Sequence, residues 1–366
     1  MRLRSLTNHL LPLLTAAWVA GCASTRTMNQ DMTSYEGTRA DTANPMAAAN
    51  PQMQRVLDQL SALGGKPIER LTAAEARGQP TPTDAVKALL VKEGRSTAPD
   101  AAVSSVDRSI PGPAGQLPVR IYTPKSGTGP FPVVVYYHGG GWVIANKDVY
   151  DSGPRALSKM ANAVVVSVDY RLGPEHKFPA AHDDAFATYE WALQNAASLN
   201  GDPKRYALAG ESAGGGLAVA TAIRARDKKD QMPLAILSVY PIAGTNTTTS
   251  SYIENANAKP LNRAMMIWFF DKYLRGPQDR ADPRVNLLAA DLHGLPPTTI
   301  INAEIDPLRA DGEMLTQKLR AAGVEVVQRT YTGVTHEFFG MGAVLDSAIS
   351  AEQMGADALR TAFSRK

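Results

Sequence analysis

The sequence predicts an α/β protein with a mostly parallel β-sheet that is covered by helices on both faces. Residues 132–137 and 163–168 are nearly continuous apolar runs rich in valine, which is typical of strands buried on both faces. Further strand candidates alternate with segments of helical periodicity, and this alternation indicates parallel strands joined by helices. With 366 residues, 44% of them hydrophobic, the chain can bury the core of one large domain.

The remaining elements follow in a regular order along the chain. An antiparallel hairpin is predicted over 103–110 and 117–122, because a Pro-Gly-Pro-Ala-Gly turn separates two strand-like segments. Later strands are predicted at 206–209, 234–240, 298–303 and 324–330. Helices are predicted at 180–197, 213–227, 307–322 and 343–363.

Residues 1–21 have the features of a bacterial signal peptide. Arg2 and Arg4 precede an apolar segment, residues 10–20, that is too short for an ordinary membrane span. The tetrapeptide Val-Ala-Gly-Cys that ends at Cys22 resembles the bacterial lipobox, and Cys22 is the only cysteine of the chain. We therefore predict lipid attachment at Cys22 and a lipid-anchored protein of the bacterial cell envelope, at the outer membrane if the organism is Gram-negative. A plain secretory signal is the alternative.

The charge of the chain argues against nucleic acid as a partner. The formal net charge is +3, and two of the basic residues, Arg2 and Arg4, belong to the predicted signal peptide. The rest of the chain is nearly neutral and has no cluster of lysine and arginine, whereas nucleic-acid-binding domains carry basic patches.

Three segments are predicted after the signal peptide. Residues 22–50 are polar and lack an apolar period, so they are predicted to be a flexible tether. Residues 51–98 contain two amphipathic helices, over 53–63 and 84–92, which precede any strand and must pack on another part of the protein. They are either an N-terminal decoration or part of a cap. The α/β domain is predicted to span 99–366.

A long insertion at about 245–285 interrupts the alternation of strands and helices. It contains a helix that is dense in bulky residues, including Trp268 and Phe269. This helix is either a buried crossover helix or a cap whose apolar side walls a substrate pocket. In the second case Trp268 and Phe269 are candidate substrate-binding residues.

The central motif of the sequence is Gly210-Glu211-Ser212-Ala213-Gly214, which lies between a predicted strand and a predicted helix. It matches the G-x-S-x-G nucleophile elbow, in which glycines allow two backbones to approach and the serine is exposed on a strained turn. The alternative is a surface turn rich in glycine and serine. Ser212 is the candidate nucleophile.

The serine needs a base and an acid to become a nucleophile at neutral pH. In α/β-hydrolases the acid and then the histidine follow the serine along the chain, which leaves His336 and His293 as bases. His336 is preferred, because it follows the last predicted strand. Asp306 is the preferred acid over Asp311 and Glu304, because it lies where a predicted strand ends.

An oxyanion hole is predicted at His138-Gly139-Gly140-Gly141-Trp142, which follows the strand at 132–137. This is an HGGG-type loop, and its backbone N–H groups act together with the N–H of the residue after the serine. The predicted donors are Gly139, Gly140 and Ala213. Trp142 is a candidate for the floor of the substrate pocket. A flexible glycine turn is the alternative.

Together these motifs resemble the hormone-sensitive-lipase-like, or bacterial family IV, esterases and lipases of the α/β-hydrolase superfamily. The resemblance runs from about residue 53 to the C-terminus and includes the segments 170–180, 306–308 and 336–338. It implies an α/β-hydrolase fold with an eight-stranded sheet, a helical cap made from the N-terminus and an insertion after strand six, and neither cofactor nor metal. It also implies that a homodimer through an edge strand is possible.

The chain departs from the pattern of this family at three positions. Glu211 stands where Asp or Thr is common, Gly173 where Ala is common, and Gly216 where Asn is common. Gly216 is expected to add backbone freedom beside the elbow. Glu175, which lies in the segment 170–180, is expected to support the oxyanion loop through a buried ion pair.

The prediction is a serine hydrolase that acts on carboxylic esters with short to medium acyl chains. Ser212, His336 and Asp306 would form the triad, and the reaction would pass through an acyl-enzyme. An amidase or deacetylase with the same triad remains an alternative, and so does a non-catalytic protein that binds small molecules on this fold.

Overall fold

Eight strands form one mixed sheet in the computed structural model, which describes residues 46–365. The strands are β1 (Val103–Gly112), β2 (Gly115–Pro124), β3 (Phe131–Tyr137), β4 (Val164–Val168), β5 (Gly201–Glu211), β6 (Ile236–Val239), β7 (Thr298–Ile305) and β8 (Val326–Thr335). Their order in the sheet is β1-β2-β4-β3-β5-β6-β7-β8. β1 and β2 form the predicted antiparallel hairpin, β2 is antiparallel to β4, and all other neighbours are parallel. The predicted fold class is confirmed.

Ten α-helices accompany the sheet within residues 46–365. They are α1 (Pro51–Ala62), α2 (Ala73–Arg77), α3 (Pro82–Lys92), α4 (Ser152–Ala161), α5 (Ala180–Gln194), α6 (Ala213–Lys228), α7 (Ser250–Glu254), α8 (Arg263–Tyr273), α9 (Arg309–Ala321) and α10 (Asp346–Ser364). Residues of the predicted signal peptide, with Cys22, and most of the predicted tether lie outside the part of the chain that the structure describes. None of the helices in the described part has both the length and the apolar character that a membrane span requires.

Side chains alternate between the two faces of the central strands, and each face has its own core. In β3, Val133 and Val135 belong to the core that α5, α6 and α9 cover, whereas Val134 belongs to the core that α4 and α10 cover. Every residue of β3 and β4 is buried, as expected for strands sandwiched between helices. This burial fixes the register of the sheet, because a slip by one residue would exchange the two faces.

The carboxyl ends of four strands carry the predicted site residues. His138 follows β3 directly, Ser212 follows β5, Asp306 follows β7 and His336 follows β8. Parallel strands end at the same edge of a sheet, and ligands of open α/β sheets bind at that edge. The fold therefore brings together residues that are up to about 200 positions apart in the chain.

Helix α4 was not predicted from the sequence. Its first turn contains Gly153 and Pro154, which are helix breakers in most contexts. Proline is tolerated in a first turn, where the missing N–H has no intrahelical partner, and Leu157 and Ala161 then bury the helix against the sheet. The short helices α2 and α7 were not predicted either. The remaining helices and the strands appear at the predicted places, with ends displaced by a few residues.

The two predicted cap segments contact each other. The insertion contains α7 and α8, and the indole N–H of Trp268 in α8 donates a hydrogen bond of 3.1 Å to the carbonyl oxygen of Leu71 in the N-terminal segment. A different contact holds the start of α1. Asn50 caps this helix, and the N–H of Asn50 donates a hydrogen bond of 2.8 Å to the carbonyl oxygen of Gly333.

Candidate active site

Ser212 lies on a strained turn between β5 and α6. Its φ is +58° and its ψ is −119°, a conformation that non-glycine residues rarely adopt. A Cβ atom at Gly210 would lie 2.2 Å from the carbonyl oxygen of Gly214, and one at Gly214 would lie 1.9 Å from the carbonyl oxygen of Tyr137. Both glycines are therefore required by close backbone contacts, and the turn has the geometry of a nucleophile elbow.

Gly216, which replaces a common asparagine, is also required by its surroundings. A Cβ atom there would lie 2.5 Å from the carbonyl oxygen of Ile242. The N–H of Gly216 donates a hydrogen bond of 3.2 Å to the carbonyl oxygen of Ser212, so this residue takes part in the first turn of α6. The backbone freedom expected at Gly216 is therefore limited by its close contact with Ile242, which follows β6.

Ser212, His336 and Asp306 form a continuous chain of hydrogen bonds. Nε2 of His336 lies 2.9 Å from Oγ of Ser212, and Nδ1 of the same ring lies 2.6 Å from Oδ2 of Asp306. Oδ1 of Asp306 accepts a hydrogen bond of 2.8 Å from the N–H of Leu308. The imidazole can therefore take a proton from the serine while the carboxylate holds its other nitrogen.

Burial and charge shift the pKa of His336 in opposite directions. Burial lowers the pKa of its imidazole, but the charge of Asp306 and the hydrogen bond to it raise the pKa, which lies above its ordinary value. The site thus favours the imidazolium that forms when the histidine takes a proton.

The residues that compete with this triad in the sequence lie elsewhere. His293 is exposed and contacts Asp291, with Nδ1 2.7 Å from Oδ1. Oδ2 of Asp311 accepts hydrogen bonds of 3.0 Å and 2.8 Å from the N–H groups of residues 243 and 244, and Glu304 accepts one from residue 333. The carboxyl groups of Asp311 and Glu304 therefore hold backbone segments and do not contact the imidazole of His336.

The loop after β3 places backbone N–H groups beside the serine. Gly139 faces Ser212 so closely that a Cβ atom on it would lie 3.1 Å from Cβ of the serine. Among residues 46–365, no acceptor is hydrogen-bonded to the N–H of Gly139, Gly140 or Ala213. The three predicted donors are therefore available to an oxyanion.

Arg77 and Glu175 connect the N-terminal segment to this loop. The guanidinium of Arg77 contacts both oxygens of Glu175, at 2.9 Å and 2.7 Å, and donates to the carbonyl oxygens of Val143 and Gly173, at 2.8 Å and 2.7 Å. The expected ion pair of Glu175 is present, but it is not buried, because 53% of the glutamate side chain is exposed. The bond to Val143 restrains the end of the loop directly, and the bond to Gly173 acts on a residue whose N–H donates to the carbonyl oxygen of Trp142. Both restrain the loop more directly than the exposed pair does.

A cavity of about 500 Å³ opens in front of Ser212. Its walls come from the N-terminal segment, the oxyanion loop, the insertion, Ser212 and His336. They include Leu60, Ile68, Gly140, Leu261, Met265 and Phe269. This volume and its apolar walls are typical of pockets for small ligands.

Of the three residues predicted to line the substrate pocket, only Phe269 does so. Trp142 is buried behind the oxyanion loop, where its ring stacks on Tyr273 with the centroids 4.8 Å apart. Trp268 packs edge-on against Phe269 and bonds to residue 71. The assignments of Trp142 and Trp268 to the pocket are therefore corrected: both hold the cap and the oxyanion loop from outside the cavity.

Two glutamates next to the triad were not recognised as site residues. Glu211 is buried and accepts hydrogen bonds from the hydroxyls of Tyr136 and Tyr240. Burial and the nearby carboxyl of Glu337 raise the pKa of Glu211 to about 8. Glu337 lines the cavity and accepts a hydrogen bond of 2.5 Å from the hydroxyl of Tyr150. Their only signal in the sequence was adjacency to the predicted serine and histidine.

The chain belongs to the hormone-sensitive-lipase-like family of α/β-hydrolases. Residues 134–340 match a family model described as the alpha/beta hydrolase fold. A carboxylesterase of Mycobacterium tuberculosis, NlhH, is 42% identical over 252 residues, which are 68% of this chain and 79% of that protein. An ethyl acetate hydrolase of Pseudomonas putida is 32% identical over 80% of this chain and 92% of its own length.

Solved structures of esterases are also similar to this chain. A hyperthermophilic esterase from the archaeon Pyrobaculum calidifontis superposes with a TM-score of 0.77 at 35% identity. The match covers 86% of this chain and 98% of that esterase. A thermostable esterase from Pseudomonas putida superposes with a TM-score of 0.79 at 28% identity.

Proposed function

We propose that this protein is a serine carboxylesterase that hydrolyses small carboxylic esters through an acyl-enzyme. The observation that carries the proposal is the hydrogen-bonded chain from Ser212 through His336 to Asp306, with the serine facing an apolar cavity. Relatives named as carboxylesterases support the reaction class, and the protein is a carboxylesterase-type hydrolase.

In each half of the reaction, the imidazole of His336 would accept one proton and then donate it. Oγ of Ser212 attacks the ester carbonyl carbon while Nε2 of His336 takes the serine proton, and the N–H groups of Gly139, Gly140 and Ala213 stabilise the negative oxygen. The same proton passes to the leaving alcohol. Water then attacks the acyl-enzyme, and the serine is released with a carboxylic acid. No step of this scheme uses a cofactor or a metal.

We infer a preference for short to medium acyl chains from the cavity. Its volume of about 500 Å³ suits a small ester, and Met265 and Phe269 of the cap form part of its wall. An amidase or deacetylase would use the same groups, so esters and amides with matched acyl groups should be compared in one assay.

Labelling with a fluorophosphonate probe tests the proposal. The wild type should react with the probe and hydrolyse 4-nitrophenyl butyrate, and Ser212→Ala should do neither. Ser126→Ala, which changes an exposed serine, is the matched control and should behave like the wild type. Full hydrolysis by Ser212→Ala would refute the assignment, and a wild type that binds esters without turnover would favour the non-catalytic alternative.

We also propose that the protein is lipid-anchored in the bacterial cell envelope through Cys22. The proposal rests on the sequence alone, because the signal peptide and Cys22 lie outside residues 46–365. Several acyl chains on one cysteine give stable membrane attachment, whereas a single chain binds only marginally. Radiolabelled palmitate should be incorporated into the wild type and not into Cys22→Ser, and the variant should leave the membrane fraction. An unchanged distribution would exclude the anchor.

A homodimer through the β8 edge of the sheet is a further proposal. β8 is an outer strand of the described sheet, and the side chain of Val327 on it is 52% exposed. Light scattering should give the mass of two chains for the wild type, and Val327→Lys should shift it toward one chain. A single-chain mass for the wild type would reject the dimer.

A further inference from the structure

Glu337, the residue after the catalytic histidine, holds a carboxyl group at the reacting atoms. Its φ is +71°, a left-handed conformation that is unfavourable for a residue with a side chain. In this conformation Oε1 of Glu337 lies 3.8 Å from Nε2 of His336, the nitrogen that exchanges its proton with Ser212. The side chain also lines the substrate cavity.

Tyr150 fixes the position of this carboxyl group. Its hydroxyl donates a hydrogen bond of 2.5 Å to Oε1 of Glu337. The same hydroxyl lies against the oxyanion loop, because a Cβ atom on Gly139 would be 2.2 Å from it. Burial raises the pKa of Glu337, and His336 and the bond from Tyr150 oppose this rise.

The carboxyl of Glu337 and Nε2 of His336 are close enough for one water molecule beside them to bond to both. A separation of 3.8 Å is too long for a direct hydrogen bond, but a water beside the two groups can bond to both. Oε1 has a second lone pair for this water besides the one that Tyr150 occupies.

A second cavity is also lined by Glu337. It has a volume of about 1140 Å³, and Tyr150, Glu211, Glu337 and Glu352 are among its lining residues. Tyr150 and Glu337 also line the substrate cavity, so they stand between the two spaces. Water-sized space therefore exists next to Glu337 in a second cavity as well as in the substrate cavity.

The neighbouring carboxyl groups are not free to hold this water. Asp306 is fully buried and its two oxygens bond to His336 and to the N–H of Leu308. The oxygens of Glu211 accept the hydroxyls of Tyr136 and Tyr240. Glu337 is the carboxyl beside the triad that faces the cavity.

We propose that Glu337, oriented by Tyr150, positions the water that hydrolyses the acyl-enzyme. The inference rests on the proposed esterase mechanism. One hydrogen of the water bonds to Oε1 of Glu337, and the other points to Nε2 of His336. As the water oxygen forms its bond to the acyl carbon, the second proton moves to Nε2. That proton then passes to Oγ of Ser212 as the acyl–oxygen bond breaks and the carboxylic acid departs.

The test separates acylation from deacylation. Release of 4-nitrophenol from 4-nitrophenyl acetate with enzyme in excess measures acylation, and mass spectrometry of acid-quenched steady-state mixtures measures the fraction of Ser212 that carries the acetyl group. Glu337→Gly suits the positive φ and removes the carboxyl. Tyr150→Phe removes only the hydroxyl that orients it. Tyr331→Phe, whose hydroxyl lies near Ser350, is the matched control.

In Glu337→Gly we expect the acylation rate to stay within about twofold of the wild type and deacylation to fall about tenfold or more, so that acetyl-enzyme accumulates. Tyr150→Phe should show a smaller change in the same direction, and Tyr331→Phe none. An equal loss of both rates would mean that Glu337 only supports the histidine and would overturn the proposal, as would unchanged deacylation. No acetyl group on Ser212 in any variant, with no ester turnover, would instead refute the proposed function.

Discussion

The ring of Tyr240 packs against the imidazole of His336, with the two centroids 4.5 Å apart. Its hydroxyl donates a hydrogen bond to Glu211, the residue before the nucleophile. Tyr136 on β3 donates to the other oxygen of the same carboxyl group. Glu211 therefore connects the turn that holds Ser212 to the ring that supports the histidine, and this departure from the common family pattern is a structural part of the site.

The first prediction concerns the effect of Glu211 on stability as the pH changes. Burial raises the pKa of Glu211 to about 8, well above that of the same group in an unfolded chain. Its contribution to stability is therefore fully present below the unfolded pKa and is lost as the pH rises toward about 8. Each unit of pKa difference corresponds to about 1.4 kcal/mol.

Urea unfolding at about pH 5 and about pH 9 checks this prediction. The free energy of unfolding of the wild type should fall more between these conditions than that of Glu211→Gln, which does not titrate. Glu325→Gln is the control. Arg365 lowers the pKa of this exposed glutamate, so Glu325 titrates below the tested pH range. The free energy of unfolding of this variant should therefore depend on pH as that of the wild type does. Equal pH dependence in the wild type and Glu211→Gln would contradict the prediction.

The second prediction separates the two candidate acids. Asp306→Asn should lower kcat about 10⁴-fold, because an amide no longer holds the imidazole in the tautomer that accepts the serine proton. Asp311→Asn keeps an oxygen that can accept from residues 243 and 244, so kcat should stay within about tenfold of the wild type. Hydrolysis of 4-nitrophenyl butyrate measures both, and a greater loss in Asp311→Asn than in Asp306→Asn would reject the assignment.

Local patterns explain why the triad positions were predictable. Ser212, Asp306 and His336 each follow a strand that was predicted from the sequence, and parallel strands end at one edge of the sheet. The G-x-S-x-G motif, the order of serine, acid and histidine along the chain, and the strand ends together predicted these neighbours without any knowledge of side-chain contacts.

Contacts between distant segments could not be predicted in this way. Trp142 follows the glycine loop, which suggested the floor of the pocket, but its position depends on Tyr273 of α8, more than 100 residues away. The pairing of Glu211 with Tyr136 and Tyr240 joins β5, β3 and the residue after β6. Such contacts depend on how side chains from separate elements fill the same space, and periodicity within one element carries no information about them.

The third prediction concerns the restraint that Arg77 places on the oxyanion loop. Arg77→Ala removes the donors to the carbonyl oxygens of Val143 and Gly173, so the loop should lose order and kcat should fall about tenfold. Glu175→Ala removes only the exposed ion pair and should have a smaller effect. Arg70→Ala, an exposed arginine of the same segment, is the control. Greater loss in Glu175→Ala than in Arg77→Ala would show that the ion pair is the important restraint.

The fourth prediction tests whether the cap sets the acyl-chain preference. Met265 and Ile267 lie on the same helix, but only Met265 lines the cavity, while the side chain of Ile267 is 44% exposed. Met265→Ala should enlarge the cavity and raise the ratio of kcat/KM for 4-nitrophenyl octanoate to that for the butyrate about tenfold, since each added methylene then gains space to bury. Ile267→Ala removes a similar volume outside the cavity and should leave the ratio unchanged. A similar rise in both variants would mean that loosening of the cap, rather than the wall at Met265, controls the preference.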